Sequence, residues 1–156
     1  MALQAGVYSL TQSPLREVPR RVGGMFVSAN GTNSPIITAA RVPAFFNKQS
    51  WRIQPVEGRD NRYKIIFQTD NKMAPVGFGL ENPNEVQAGD DVLLTVSPID
   101  WVINLVKPEN TPDDKTFVEI KACNHENLVV TVGNENTLQL VDKPAVAPFF
   151  YASKQN

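Results

Sequence analysis

The chain has 156 residues, 42% of them hydrophobic and 20% charged, with a formal net charge of −1. That is enough for one domain with a real core and too little for two. The balanced charge, with no long run of Lys or Arg, gives no electrostatic reason to expect nucleic acid or an anionic membrane as partner.

Short alternating runs begin at once. "GVYSL" (6–10) is followed by "GMFVSA" (24–29), "PIITAA" (35–40) and the stretch around "QSWRI" (49–53). The same succession returns as "RYKIIF" (62–67), "MAPVGFG" (73–79), "VLLTV" (92–96) and "IDWVINLV" (99–106). It returns again as "KTFVEI" (115–120), "NLVVTV" (127–132), "TLQLV" (137–141) and "PFFYAS" (148–153). Period-two alternation predicts strands with one face turned inward. Turn-rich stretches such as "NGTNSP", "EGRDN", "ENPNE" and "GNEN" separate them. No window carries a helical stripe.

Trp51 and Trp101 stand fifty residues apart, and a further fifty reaches Tyr151 in the Phe149-Phe150-Tyr151 cluster. A fixed period of this length signals a repeat architecture. Three units of four strands predict an all-β fold of twelve strands, a β-trefoil with pseudo-threefold symmetry. The single domain would span 1–156, with repeats near 5–57, 60–107 and 113–153. Closing the sheet would hide its edges. Trp51, Trp101 and the 149–151 cluster are expected to fill equivalent core positions.

The catalytic inventory is nearly empty, and the expectation is that the protein is not an enzyme. There is one His and one Cys. Cys123 cannot form an internal disulfide and reads as a small buried residue near a strand end. His125 reads as a partly exposed loop residue, and the pair is too small a set for a zinc site. No phosphate-cradling G-x-x-x-x-G-K-[ST] occurs. Asp90-Asp91 and Asp113-Asp114 read as turn chemistry. No cofactor is expected. The first residues lack the 7–15-residue apolar stretch of a signal peptide, and nothing approaches a span of about 20 apolar residues. The expectation is a cytoplasmic monomer that works through loops on a rigid scaffold.

The stretches "AGVYSL" (5–10), "RVGGMFVSA" (21–29), "PAFFNKQSWRI" (43–53), "YKIIFQTDN" (63–71) and "VGFGLE" (76–81) resemble the β-trefoil protease inhibitors of mushrooms. These are trypsin inhibitors of the cospin type and cysteine-protease inhibitors of the clitocypin type. The first half of the chain carries the likeness in its words, the second half in its repeat layout. The resemblance implies a fungal protein, serving in defence or endogenous regulation, that inhibits proteases by surface loops without cofactor or chemistry.

It also implies three candidate contacts. In the clitocypin type a glycine-bearing loop enters a papain-type cleft. Val22, Gly23 and Gly24 fit that pattern, with "ARVPAFF" (40–46) as the partner loop, although Arg20 and Arg21 add bulk there. In the cospin type the loop after the second strand is reactive. Here that loop is Ser28, Ala29, Asn30, Gly31, Thr32 and Asn33, with Asn30 as first candidate for the specificity position. Asn30-Gly31 favours a tight turn, and Pro35 stiffens the exit. In the loop 68–75, Lys72 suits a trypsin pocket and Asn71 suits legumain. An ordinary polar turn is the plainer reading of each loop. The leading expectation is substrate-like inhibition of trypsin-type serine proteases by the 28–33 loop. A papain- or legumain-directed inhibitor is the alternative. A lectin is the reading from another class, because Gln49-x-Trp51 matches a sugar-binding trefoil signature that the other two units lack.

Overall fold

The computed structural model describes residues 2–13, 25–69, 72–107, 115–144 and 148–155. Twelve strands lie in them: β1 (Gly6–Ser13), β2 (Met25–Ser28), β3 (Ile37–Ala40), β4 (Trp51–Pro55), β5 (Arg62–Thr69), β6 (Lys72–Gly79), β7 (Leu93–Thr95), β8 (Trp101–Val106), β9 (Thr116–Ala122), β10 (His125–Val132), β11 (Leu138–Asp142) and β12 (Phe149–Lys154). Each overlaps one of the runs expected from alternation.

Six strands close on themselves in an antiparallel ring. β1 pairs with β4, β4 with β5, β5 with β8, β8 with β9, β9 with β12, and β12 with β1. The ring leaves no free edge along its wall. The hairpins β2–β3, β6–β7 and β10–β11 branch from it. The chain at the entries of β3, β7 and β11 meets in a cyclic hydrogen-bond set. Ile36 N–H donates to Val92 O at 2.9 Å, Val92 N–H to Leu138 O at 2.9 Å, and Leu138 N–H to Ile36 O at 2.8 Å. All three side chains are fully buried. The molecule is a β-trefoil, a six-stranded barrel capped by three hairpins.

Trp51 and Trp101 sit in the core as expected. Each indole N–H donates to a carbonyl of its own unit's second strand, Val27 O at 3.0 Å and Phe78 O at 3.1 Å. Trp51 lies opposite Tyr8, and Trp101 opposite Tyr63. Of the 149–151 cluster in the third unit, Phe150 is the buried member, opposite Val118. Tyr151, the residue at the fifty-residue spacing, faces the other side of β12 and packs on Phe117 at 5.5 Å. Neighbouring residues of a strand face opposite sides, so a spacing of fifty that misses by one lands on the wrong face.

The sequence reading missed one element. Pro43–Lys48 form a 3-10 helix, started by a proline whose absent N–H costs nothing there. It feeds Gln49, which is fully buried. Among the described residues no helix is long and apolar enough to cross a membrane.

Candidate functional site

The β2–β3 hairpin positions two of the candidate contacts, one at each end. Met25 pairs with Ala40, and Ser28 with Ile37. The connection 29–36 therefore leaves at one end. The chain arriving at Met25 and the chain departing from Ala40 share the other.

At the first end, Ser28 and Ala29 are buried, whereas Asn30, Gly31, Thr32 and Asn33 are exposed. Three backbone bonds hold the base: Ala29 N–H donates to Lys48 O at 2.9 Å, Asn33 N–H to Leu94 O at 2.6 Å, and Leu94 N–H to Ser34 O at 3.1 Å. The tight turn lies two residues later than the Asn-Gly pair suggests, with Thr32 and Asn33 at its centre. Ser34 N–H closes onto Gly31 O at 3.2 Å. Gly31 has φ +107° and Asn33 has φ +65°, conformations that glycine and asparagine tolerate best. Asn30 thus precedes the turn instead of forming it. The chain leaves the extended line immediately after it.

Beside this loop a cleft of about 740 Å³ runs from Asn30 and Gly31 across Phe67 to Pro75, Val76 and Val96. Its far wall belongs to the β5–β6 hairpin, where Thr69 pairs with Lys72. Lys72 opens β6, while Asn71 lies outside the described residues. The 28–33 loop and the hairpin bearing Lys72 thus flank one cleft.

At the second end, Val22, Gly23 and Gly24 lie outside the described residues, and so do Arg20 and Arg21. The partner segment is described. Val42 is 38% and Phe46 45% exposed, two of the few large apolar side chains facing water. The Arg41 guanidinium carbon stands 4.9 Å from the Phe26 ring centroid and 4.9 Å from that of Phe46. Gln49 Nε2 donates to Ala40 O at 3.2 Å and to Ser28 Oγ at 3.1 Å, tying both ends of the hairpin to the core. The sequence reading named the 40–46 segment but not Arg41 and Phe46 as a pair. An Arg five residues before a Phe is too common a spacing to signal a stack.

The remaining chemistry-bearing residues do not assemble. Cys123 is half-buried in the two-residue turn between β9 and β10, not a core residue. The strand pairing closes there with Asn124 at φ +64°. Burial raises the Cys123 pKa, which disfavours the nucleophilic thiolate. His125 is exposed at the start of β10. Asp90 acts in its turn, where Oδ2 accepts from Gln87 N–H at 3.0 Å; Asp113 and Asp114 lie outside the described residues. Among the described residues no group of His, Cys, Asp and Glu could hold a metal. The Gln49-x-Trp51 element serves the core. Both residues are fully buried, as is Trp101, so neither tryptophan offers a sugar an open ring face.

A family model described as "Peptidase inhibitor clitocypin" matches residues 6–151. No curated protein gives a significant sequence match. Among solved structures, a designed threefold symmetric protein, ThreeFoil, superposes with a TM-score of 0.65 at 14% identity, over 96% of this chain and 99% of that one. The agglutinin of Rhizoctonia solani gives 0.64 at 15% identity, over 99% of both chains. A mosquitocidal holotoxin gives 0.67 at 14% identity, over 99% of this chain and 18% of its own. At such identities the structural likeness speaks for the fold alone.

Proposed function

The chain belongs to the clitocypin family of peptidase inhibitors, and from that premise we propose that it blocks papain-type cysteine peptidases by wedging loops at the Met25–Ala40 end of the β2–β3 hairpin into the active-site cleft. It is an inhibitor, not an enzyme. The observation that carries the reading is the apolar 42–46 segment. Val42 and Phe46 stay exposed at the hairpin end where Val22, Gly23 and Gly24 join β2. Exposed apolar side chains on a braced segment are what a desolvated interface uses as anchors. Glycines in the segment that precedes β2 would let backbone pass close to a nucleophile without presenting a scissile bond.

A second reading keeps the trypsin-type serine proteases. It is favoured by the three backbone bonds that hold the 28–33 loop, because a preorganised loop binds with less ordering cost. Against it stands Gly31. Its left-handed φ turns the chain directly after Asn30, where a substrate-like segment would continue extended. Lys72 on the facing hairpin is the rival contact for trypsin, and Asn71 the contact for legumain.

The test is a set of inhibition constants against papain, legumain, trypsin and chymotrypsin. The variants are Gly23→Arg, Asn30→Ala, Asn71→Ala and Lys72→Ala. The expected result is papain inhibition that Gly23→Arg abolishes and the other three leave intact. Trypsin inhibition lost in Asn30→Ala or Lys72→Ala, with papain unaffected by wild type, moves the function to the second reading. Sedimentation and cell fractionation test the monomeric state and the cytoplasmic location.

A further inference from the structure

Arg41 is an odd residue to find between two aromatic rings at the root of an apolar segment. Its guanidinium lies over Phe26, a buried residue of β2, and over Phe46, an exposed residue of the 3-10 helix. Nη1 is buried and has no hydrogen-bond partner. A guanidinium rarely gives up a hydrogen bond unless something else holds its charge, and here the two ring faces do so.

The backbone on either side is already fixed. Val42 N–H donates to Ala40 O at 3.1 Å, and Gln49 N–H to Phe46 O at 3.3 Å. What these bonds leave undetermined is the side-chain direction of Phe46. A phenylalanine exposed to this degree gains little by lying in one rotamer. The stack supplies the missing restraint, joining Phe46 through Arg41 to a ring that belongs to the core.

We propose that Arg41 is a positioning residue, a cationic spacer that holds the Phe46 ring in the orientation in which it meets the apolar wall of a peptidase cleft. The inference rests on the reading that the Met25–Ala40 end of the hairpin faces the peptidase. Arg41 itself need not touch the partner. On binding, water leaves the stack, and a cation–π contact strengthens as it is desolvated.

A double-mutant cycle on papain inhibition tests it. Phe46→Ala and Arg41→Ala are each expected to raise the inhibition constant about tenfold. The double variant should be no worse than either alone. Arg41→Lys keeps the charge without the planar stack and should rescue little. If Arg41→Ala fails to fold, Arg41→Met preserves cover over Phe26 and takes its place. In the free protein, ring currents should displace the Arg41 side-chain proton resonances, and Phe46→Ala should reduce that displacement. A harmful Phe46→Ala beside a silent Arg41→Ala overturns the inference and leaves the proposed function standing. So do losses that simply multiply. No effect of Phe46→Ala overturns the inference alone, whereas no papain inhibition by the wild-type chain overturns both.

Discussion

The two tryptophans show how much one side chain settles in a small barrel. Trp51 is wholly buried, packs edge-on to Phe78 at 4.9 Å and donates to Val27 O. Trp51→Ala should cost about 3–5 kcal/mol, seen as a lower urea midpoint. Trp51→Phe keeps most of the apolar area and orphans the Val27 carbonyl, so a loss of about 1–3 kcal/mol is expected. Equal losses for the two variants would show that the indole N–H, not the ring volume, carries the effect. Both tryptophans were legible as core residues from their spacing and company. The Arg41 stack was not, because it joins residues of β2, the strand exit and the 3-10 helix that only folding brings together.

At the scale of elements, the hairpins matter because they set where loops emerge. β5 and β6 change register between Ile66 and Gln68. At this irregularity Gly77 lies so close to β5 that a Cβ there would collide with the Ile65 carbonyl oxygen. Gly77→Ala should therefore cost about 1–3 kcal/mol or more by forcing the strands apart. Thermal unfolding would measure it, and an unchanged Tm would mean that the hairpin yields freely. Alternation along each strand was readable in advance. The bulge was not, since it answers to what faces Gly77 across the sheet.

For the molecule as a whole, stability should depend on pH at the alkaline end. The buried phenols Tyr8 and Tyr63 donate to Gln4 O at 2.8 Å and Leu3 O at 3.0 Å, drawing residues 3 and 4 onto the barrel. Burial raises both pKa values above the ordinary 10.0, and for Tyr8 the neighbouring Tyr63 adds to the rise. The unfolded chain then releases these protons at lower pH than the folded one. The phenols' contribution is complete below about pH 10 and is lost as pH climbs through the higher folded values. Denaturation midpoints should be level from about pH 7 to 9 and fall above 10. The double variant Tyr8→Phe and Tyr63→Phe should lie lower at neutral pH and fall less steeply. An equally steep fall would assign the alkaline loss to other groups.

The sequence by itself determined the strand succession, the threefold repeat and the aromatic core, because alternation and spacing are local or periodic properties of a chain. It carried the family likeness too, in short stretches such as "PAFFNKQSWRI". It placed the third core aromatic within the 149–151 cluster without choosing among its members; that Phe150 is the buried one depends on the register with β9. It also centred the first hairpin's turn on Asn30-Gly31. The closing bond runs from Ser34 to Gly31, and Leu94 of the next unit takes the Asn33 N–H. That the 28–33 loop and the 40–46 segment occupy opposite ends of one hairpin was decided by the pairing of Met25 with Ala40 and Ser28 with Ile37. Loop direction is a property of strand pairing, and pairing is chosen by the closed barrel, not by either strand alone.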